Sequence, residues 1–569
     1  MLKKIFPHLF YSIHLFAIAF PSAVYANANP EDTLPKIEGV NKNPTTSSKP
    51  VEIEASEREL ELKKEEFLSK ELLVKSFDIQ GVSAIPNEEV NAIFQPNLNK
   101  TLSIKEIINL ANTVTKIYNQ KGYPLSFAYI PKQSFQNNEV TVLVIEGFVR
   151  SISIKGDFGP TENKIRSIVE PMLKERPLTQ STMERCNSLL SLLPGLNISA
   201  SLQLPKTRDG ASELVINALR IPIAGGVNFE SIRPRARAII SVQTNSQTES
   251  AEQFTFSTLA SQNDEEYYSA AYAQMLGSDG VMLNARGTMY QGDSEEGNDT
   301  IRNVRSLRFS TSLSYPFLIN KTSSLIGTVG FSAINFEDRL QGESTFRNII
   351  QKTNSRAVSI GAQYSTLGKS QSRQLQLTLS KGLNLFGSSK SIKTNFDTNQ
   401  QFENVDDLNF SKANFNLSQK NTYSKGFGSS IALLGQYTED NLPISERVIF
   451  GGYQYGRAFS PGFFSGDSGW GLALEMNKRW LTTYDLSSQV KLTSIQPYVL
   501  FESARTFQNL KIAGNLENEE LTSLAFGVRL YSDPLGVFDM SVAKALSYES
   551  NRDAEDGLTF SLNYGVSLN

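Results

Sequence analysis

Arg457 has the surroundings that best define a chemistry in this chain. It lies within NLPISERVIFGGYQYGRAFSPGFFSGDSGWGLALE, residues 441–475, between Gly451-Gly452 and Gly466-Asp467-Ser468-Gly469. Glycines at both ends leave little side-chain bulk, so the backbone between them can turn tightly and lie close against a wall. The guanidinium is the natural anchor of such a loop, with Phe459 beside it and Asp467 as an acid within the loop itself. The chemistry on offer is charge pairing, not bond making.

Covalent catalysis lacks its parts. The two histidines, His8 and His14, fall in a segment that reads as a cleavable leader, and Cys186 is the single cysteine of 569 residues. A mature chain without imidazole has no Ser-His-Asp or Cys-His nucleophile, no histidine metal ligand and no thiolate cage or internal disulfide. No Gly-x-x-x-x-Gly-Lys-Ser/Thr phosphate loop is present, and no spacing of carboxylates favours acid–base work. Cys186, beside Leu189, Leu190 and Leu193, reads as a small buried apolar residue. These absences imply a non-enzyme without cofactor or metal. A net charge of −3, with no basic run interleaved by aromatics, argues against nucleic acid as a partner.

The elements that position the loop follow from the start of the chain. Lys3-Lys4, an apolar stretch from Ile5 to Ala19 and Val24-Tyr25-Ala26 form the three parts of a signal peptide over 1–26, with cleavage after Ala26. No later stretch approaches the ~20 apolar residues of a spanning helix, so membrane entry would require a closed barrel. Residues 27–50, rich in Asn, Pro, Ser and Thr, read as a flexible linker. Residues 51–72 are rich in Glu, Lys and Leu and predict a charged helix. Within 73–149 a strand pattern over Val74–Ile79 is followed by a helix from a Ser103/Glu106 capping box to near Gly122, then strands near 126–130 and 140–145. That is a small α+β unit. A second, over 150–220, carries helical patterns at 161–174 and 181–193 and a strand near Leu214-Val215-Ile216.

The first unit contains GYPLSFAYIPKQSF and EVTVLVIEGFVRSISIKG, and resembles the first polypeptide-transport-associated (POTRA) domain of two-partner secretion transporters, the TpsB family of the outer-membrane assembly superfamily. Gly122, Tyr123, Pro131, Gln133, Glu146 and Gly147 carry the resemblance, which implies a substrate-recognition role for them. Leu193-Pro194-Gly195 gives the second unit the same likeness. Two such domains would offer grooves where an extended polypeptide adds as a strand through main-chain hydrogen bonds. Family plugs precede the linker, whereas here the linker comes first, so the 51–72 helix is not assigned as a plug.

From 221 to 569 the helical period gives way to alternation. Leu307, Phe309, Leu313 and Tyr315 alternate with Arg308, Ser310, Ser312 and Ser314, and Leu375, Leu377 and Leu379 with Gln376, Thr378 and Ser380. The fold class is therefore mainly β: a transmembrane antiparallel barrel after two POTRA-like domains. The resemblance implies about sixteen strands and an inward-folding loop over about 451–469.

In TpsB proteins this loop carries an Arg-Gly-aromatic tip, and its arginine meets the acid of a Phe-x-Asp-x-Gly strand motif. Here the tip is Arg457-Ala458-Phe459 and the strand run is Leu500-Phe501-Glu502-Ser503-Ala504, which makes Glu502 the expected bidentate partner and leaves Asp467 as the second candidate. Gly451, Gly452, Arg457, Phe459, Asp467 and Glu502 are thus the expected gating and anchoring set. The implied function is an outer-membrane pore with its POTRA domains in the periplasm, secreting an unfolded partner exoprotein without nucleotide hydrolysis. By family analogy that partner is an adhesin, haemolysin or haem-acquisition protein. Further implied partners are outer-membrane lipid and the barrel assembly machinery that inserts the protein. A barrel-assembly factor of the same superfamily and a passive diffusion porin are the alternatives, since all three share the strand pattern.

Overall fold

The computed structural model describes residues 52–54, 68–205, 207–232, 235–261, 264–296, 300–342, 348–395, 405–453, 455–485, 490–509, 518–550 and 557–568. The expected leader and linker, 1–26 and 27–50, lie outside these residues.

The first α+β unit is built on the Ile104–Gln120 helix. Glu106 N–H donates to the Ser103 hydroxyl, and the Ser103 N–H donates back to the Glu106 carboxylate at 2.7 Å, which satisfies two donors at the helix start. Ile104, Ile107, Ala111, Val114 and Tyr118 recur at helical spacing and are buried. Ile107, Val114 and Tyr118 pack in one cluster with Val140, Val142 and Val144 of Glu139–Ile145, the central strand between Ser76–Gln80 and Phe127–Tyr129. Each such aliphatic side chain contributes about 1.5–3 kcal/mol when fully removed from water.

The second unit starts at the Phe148–Asp157 strand, two residues before the expected boundary. Its helices, Glu162–Lys174 and Gln180–Leu190, bury Ile165, Ile168, Val169 and Leu190 in a cluster with Leu202, Leu214 and Ile216. The expected 51–72 helix is corrected at both ends. Glu52–Glu54 is a strand parallel to Leu196–Gln203, and Glu71–Val74 is a strand antiparallel to Lys100–Ser103. Main-chain pairing to a neighbouring edge overrides the helix propensity of Glu and Leu at these places. Residues 55–67 lie outside the described set.

The core of the second unit runs on into the barrel. Ala251, in a turn, and Met275 and Ile319, at the ends of their strands, belong to the same buried cluster. Lys164 Nζ donates to the carbonyls of Met275 and Gly277 at 2.5 and 2.6 Å. The second α+β unit thus meets the barrel at its short-turn end.

Eighteen paired segments close the barrel. Gln371–Gly382 and Ser389–Thr394 both pair with Asn348–Leu367, and Ser468–Lys478 and Trp480–Asp485 both pair with Lys491–Phe507. Each couple is one interrupted strand, which leaves sixteen. Ile223–Ile232 pairs with Leu558–Leu568, so the sheet has no free edge. The alternation has its expected meaning: Leu307, Phe309 and Leu313 are exposed outward, while Arg302, Val304 and Ser306 of the same strand are buried within.

Candidate functional site: the loop across the lumen

The Phe427–Tyr437 and Ser468–Lys478 strands are neighbours in the wall, and residues 438–467 between them turn into the barrel. Asp467 closes the root of this excursion. Wholly buried, its carboxylate accepts from Leu442 N–H at 2.8 Å and Asn509 N–H at 2.9 Å, and lies 3.3 Å from Arg447 Nε. Next, Glu446 accepts from Lys412 Nζ at 2.7 Å and from the Ser355 hydroxyl at 3.2 Å. Ile444 enters a buried cluster with Ile239, Tyr267, Tyr290, Ile334 and Phe336 of the early strands.

The segment then reaches the opposite wall. Val448–Phe450 and Phe464–Gly466 form a small hairpin. Phe450, Phe459, Phe463 and Phe464 pack with Tyr498, Leu500, Ala504, Leu521, Ala525 and Ala543 of the late strands. The wall makes room with small residues. A Cβ on Gly471 would lie 2.6 Å from the Phe450 ring, and one on Gly469 would lie 2.7 Å from Arg505 O. The tip turns through Gly451 and Gly452, at φ +110° and +72°, and Gly452 N–H donates to the carbonyls of Gly456 and Phe459, each at 3.0 Å. A Cβ on Gly451 would meet Ser460 O at 2.5 Å, so glycine is required there.

Arg457 is buried at the end of this tip, 7% exposed. The expected bidentate pair with Glu502 does not form. Glu502 accepts from the backbone N–H of Arg457 at 2.8 Å and from the Ser523 hydroxyl at 3.0 Å. The guanidinium points onward and donates to the Tyr498 and Ser541 hydroxyls. Its nearest carboxylate is that of Asp539, 3.8 Å away, which also accepts from Tyr498 at 2.6 Å and from Arg529 Nε at 3.1 Å. Arg529 in turn is held by Glu475 at 2.6 and 2.7 Å. Arg457 also stacks over Tyr453, 4.7 Å from the ring centroid. Two arginines and two carboxylates balance in this cluster, and Glu502 lies outside it as a clamp on the loop backbone. Asp467 is likewise not the arginine's partner, because it is spent on the loop root. Phe459 does lie at the wall, 5.9 Å from Tyr548 and 5.0 Å from Phe463 between ring centroids.

Sequence reasoning passed over Tyr498, Asp539, Ser541, Arg529 and Glu475. Strand parity could have found one of them, since Tyr498 faces the same way as Glu502 two alternations later.

The six POTRA residues are engaged within their own domain or at its joint with the second. Glu146 accepts from Ser83 N–H and Ala84 N–H, each at 2.7 Å, from Tyr118 at 2.6 Å and from the Ser83 hydroxyl. Burial raises its pKa, but these donors outweigh burial and hold the carboxyl below its usual range. The Gln133 amide donates to Thr141 O and accepts from Thr141 N–H, both at 2.9 Å, and so serves as a pseudo-strand. A Cβ on Gly147 would lie 2.5 Å from Leu125, and Gly122 takes φ +87° and accepts from Gln180 N–H at 2.8 Å. Tyr123 is edge-on to Tyr118 at 6.0 Å, and Pro131 is half-buried just before Gln133. Gln133 and Glu146 thus brace the first domain, and Gly147, whose carbonyl accepts from Leu178 N–H at 2.9 Å, lies at its joint with the second.

With this geometry in view, comparisons with known proteins are decisive. Residues 72–147 match the model of the ShlB-type POTRA domain, and residues 255–530 that of the haemolysin secretion/activation protein ShlB/FhaC/HecB. The heme/hemopexin transporter protein HuxB of Haemophilus influenzae (strain 86-028NP) is 20% identical over 487 residues, 83% of this chain and 82% of the relative. Among solved structures, CdiB from Escherichia coli superposes with a TM-score of 0.64 at 15% identity, covering 90% of this chain and 93% of that one. BamA from Haemophilus ducreyi lacking POTRA domains 1–3 gives 0.53 at 14% identity, covering 87% and 100%, which is a likeness of fold. Lumen loop, POTRA unit and barrel together say what the chain is: it belongs to the haemolysin secretion/activation family, the outer-membrane transporters of two-partner secretion.

Proposed function

We propose that the protein exports an unfolded partner exoprotein through its own lumen, and that residues 438–467 are the gate that must leave first. The observation that carries this is the span of the loop. Ile444 is buried against one wall and Phe459 against the other, so the segment crosses the path an extended chain would take. Among the described residues, its short hairpin pairs the loop with itself and not with the barrel wall. The remaining hold is side-chain packing and the Arg457 cluster, which can be made and broken without unfolding the wall.

The POTRA units stand at the short-turn end, where a chain would arrive from the periplasm. Recognition there falls to strand edges, because the motif side chains are already bonded within the domain. An edge read by main-chain hydrogen bonds accepts many sequences, which suits a large exoprotein such as an adhesin, haemolysin or haem-acquisition protein. HuxB is a heme/hemopexin transporter protein and CdiB an outer membrane transporter, and by that analogy this chain works as a pore and not as an enzyme. Folding of the emerging exoprotein outside the cell supplies the driving force in this reading, in place of nucleotide hydrolysis, and the barrel assembly machinery inserts the pore. The closed seam between Ile223–Ile232 and Leu558–Leu568, paired from Gly225–Leu568 to Ile232–Ser561, favours passage along the lumen over lateral release to lipid.

The test is to hold the gate shut. Thr559 donates to Ala458 O at 2.9 Å, so a cysteine at each position brings two thiols together across loop and wall. A reducible thiol crosslinker should stop secretion of the partner exoprotein, and reduction should restore it. Unchanged secretion with crosslinking complete refutes the gate. Loss of other outer-membrane proteins with that secretion intact points to an assembly factor.

A further inference from the structure

The outer face of the barrel carries a site that secretion does not use. Four strands place their outward residues in rows. Register aligns Gln291 with Arg305, Arg305 with Glu337 and Glu337 with Lys352, and the row below aligns Met289, Leu307, Asn335 and Asn354. These two rows line a groove of about 520 Å³. The inward neighbours Ser306, Asp338 and Thr353 are buried in the lumen, so the rows face away from it.

Position and charge say what the groove meets. It lies toward the end opposite the POTRA units, just above the exposed apolar band of Leu307, Phe309, Val329, Val358 and Ile360. That is the level of lipid headgroups in the outer leaflet. Three cations, Arg305, Arg339 and Lys352, stand on this face with three acids: Glu337 between them, Glu266 beyond Gln291 in the same row, and Asp293 beyond Asn303 in the row of Arg339. Glu337 pairs with Arg339 and Lys352, each at 2.7 Å. Arg305 is exposed, and among the described residues it forms no hydrogen bond or ion pair. An unpaired guanidinium directly above an apolar band is a donor fork for phosphate oxygens.

We propose that this groove binds the phosphorylated headgroup of an outer-leaflet glycolipid. Arg305 and Lys352 take the phosphate, the amides of Gln291 and Asn354 take sugar hydroxyls, and Met289 and Leu307 receive the start of an acyl chain. Glu337 orients the two cations beside it and limits the affinity. The site rests on the barrel's place in the outer membrane and stands whether or not the lumen loop gates export.

The full-length protein in detergent micelles would be mixed with bisphosphorylated lipid A and the retained lipid counted by native mass spectrometry. Each cation near an anionic lipid surface strengthens binding about fivefold, so R305Q/K352Q should weaken retention roughly thirtyfold. The single variant E337Q should strengthen it, which keeps the test alive if the double variant fails to show the heat-modifiable migration of a folded barrel. Equal retention by wild type and R305Q/K352Q, or equal retention of dephosphorylated lipid A, overturns the proposal. Displacement by millimolar inorganic phosphate also overturns it, because the groove would then be a free-anion site.

Discussion

The split of labour at Arg457 predicts an outcome that the sequence motif alone would reverse. If the guanidinium belongs to the Asp539–Tyr498 cluster and Glu502 holds only the loop backbone, then Arg457 couples energetically to Asp539 and hardly at all to Glu502. Unit charges 3.8 Å apart attract by about 4 kcal/mol at an effective dielectric of ~20. Rehydration in the open state returns part of this, since leaving the lumen solvates both groups, and Arg529 continues to partner Asp539. A coupling of about 2 kcal/mol remains, a factor of about 30 in the closed-to-open ratio. Glu502 behaves differently. In Glu502→Gln the amide oxygen still accepts from the Arg457 N–H, so the change is a charge-assisted bond made neutral, about 1 kcal/mol. Arg457→Ala retains that same N–H, so the two substitutions should add, with a coupling below about 0.5 kcal/mol.

The assay is thiol access beneath the loop. Ala543 is 1% exposed under Phe459 and its neighbours, so a cysteine there reacts with an impermeant reagent only when the gate lifts. Native Cys186 does not compete, because burial in the second POTRA unit pushes its thiol up to about 12. Modification rates for wild type, Arg457→Ala, Asp539→Asn, Glu502→Gln and both double variants give the two cycles. A larger coupling to Glu502 than to Asp539 would refute the assignment and restore the bidentate pair.

Three other outcomes follow from the same contacts. Phe459→Ala empties a buried aromatic site at the tip and should raise the Ala543→Cys reaction rate by about two orders of magnitude, for a loss of about 3 kcal/mol from the closed state; a change under threefold would mean the ring is not a hold. Gly147→Ala drives a Cβ into the Leu125 side chain and backbone and should cost the first POTRA domain about 2 kcal/mol or more, seen as faster amide exchange over Ile104–Gln120 with the barrel unchanged. The depressed pKa of Glu146 sets a pH dependence for the same amides. Its carboxylate contributes stability above the unfolded value of ~4.3 and loses it as pH falls through the lower folded value, so protection corrected for intrinsic exchange should be flat from pH 8 to 5 and fall below about 4. Glu146→Gln should abolish that fall.

What could be read from residues alone was whatever is local. The Ser103/Glu106 box fixes a helix start within four residues, and strand parity sorts Leu307 from Ser306 without knowing the neighbouring strand. The failures share the opposite character. Glu52–Glu54 and Glu71–Val74 carry helix-forming residues, yet their conformation is decided by partners at Ser201–Gln203 and Lys100–Ser103 that no propensity contains. The site failed in the same way. The loop arginine was legible, but its side chain has a choice among Glu502, Tyr498 and Asp539, from two wall strands, and burial depth settles it. Glu502 meets the loop at its backbone, and the guanidinium reaches past it to the Tyr498 and Ser541 hydroxyls. A motif conveys that an acid stands opposite an arginine, whereas which atoms of the arginine it holds depends on how deeply the aromatic residues around it have seated the loop. Substitutions at Ala504, Ala525 or Gly471 that alter the seat by one methyl group should therefore move Arg457 between partners without changing a charged residue.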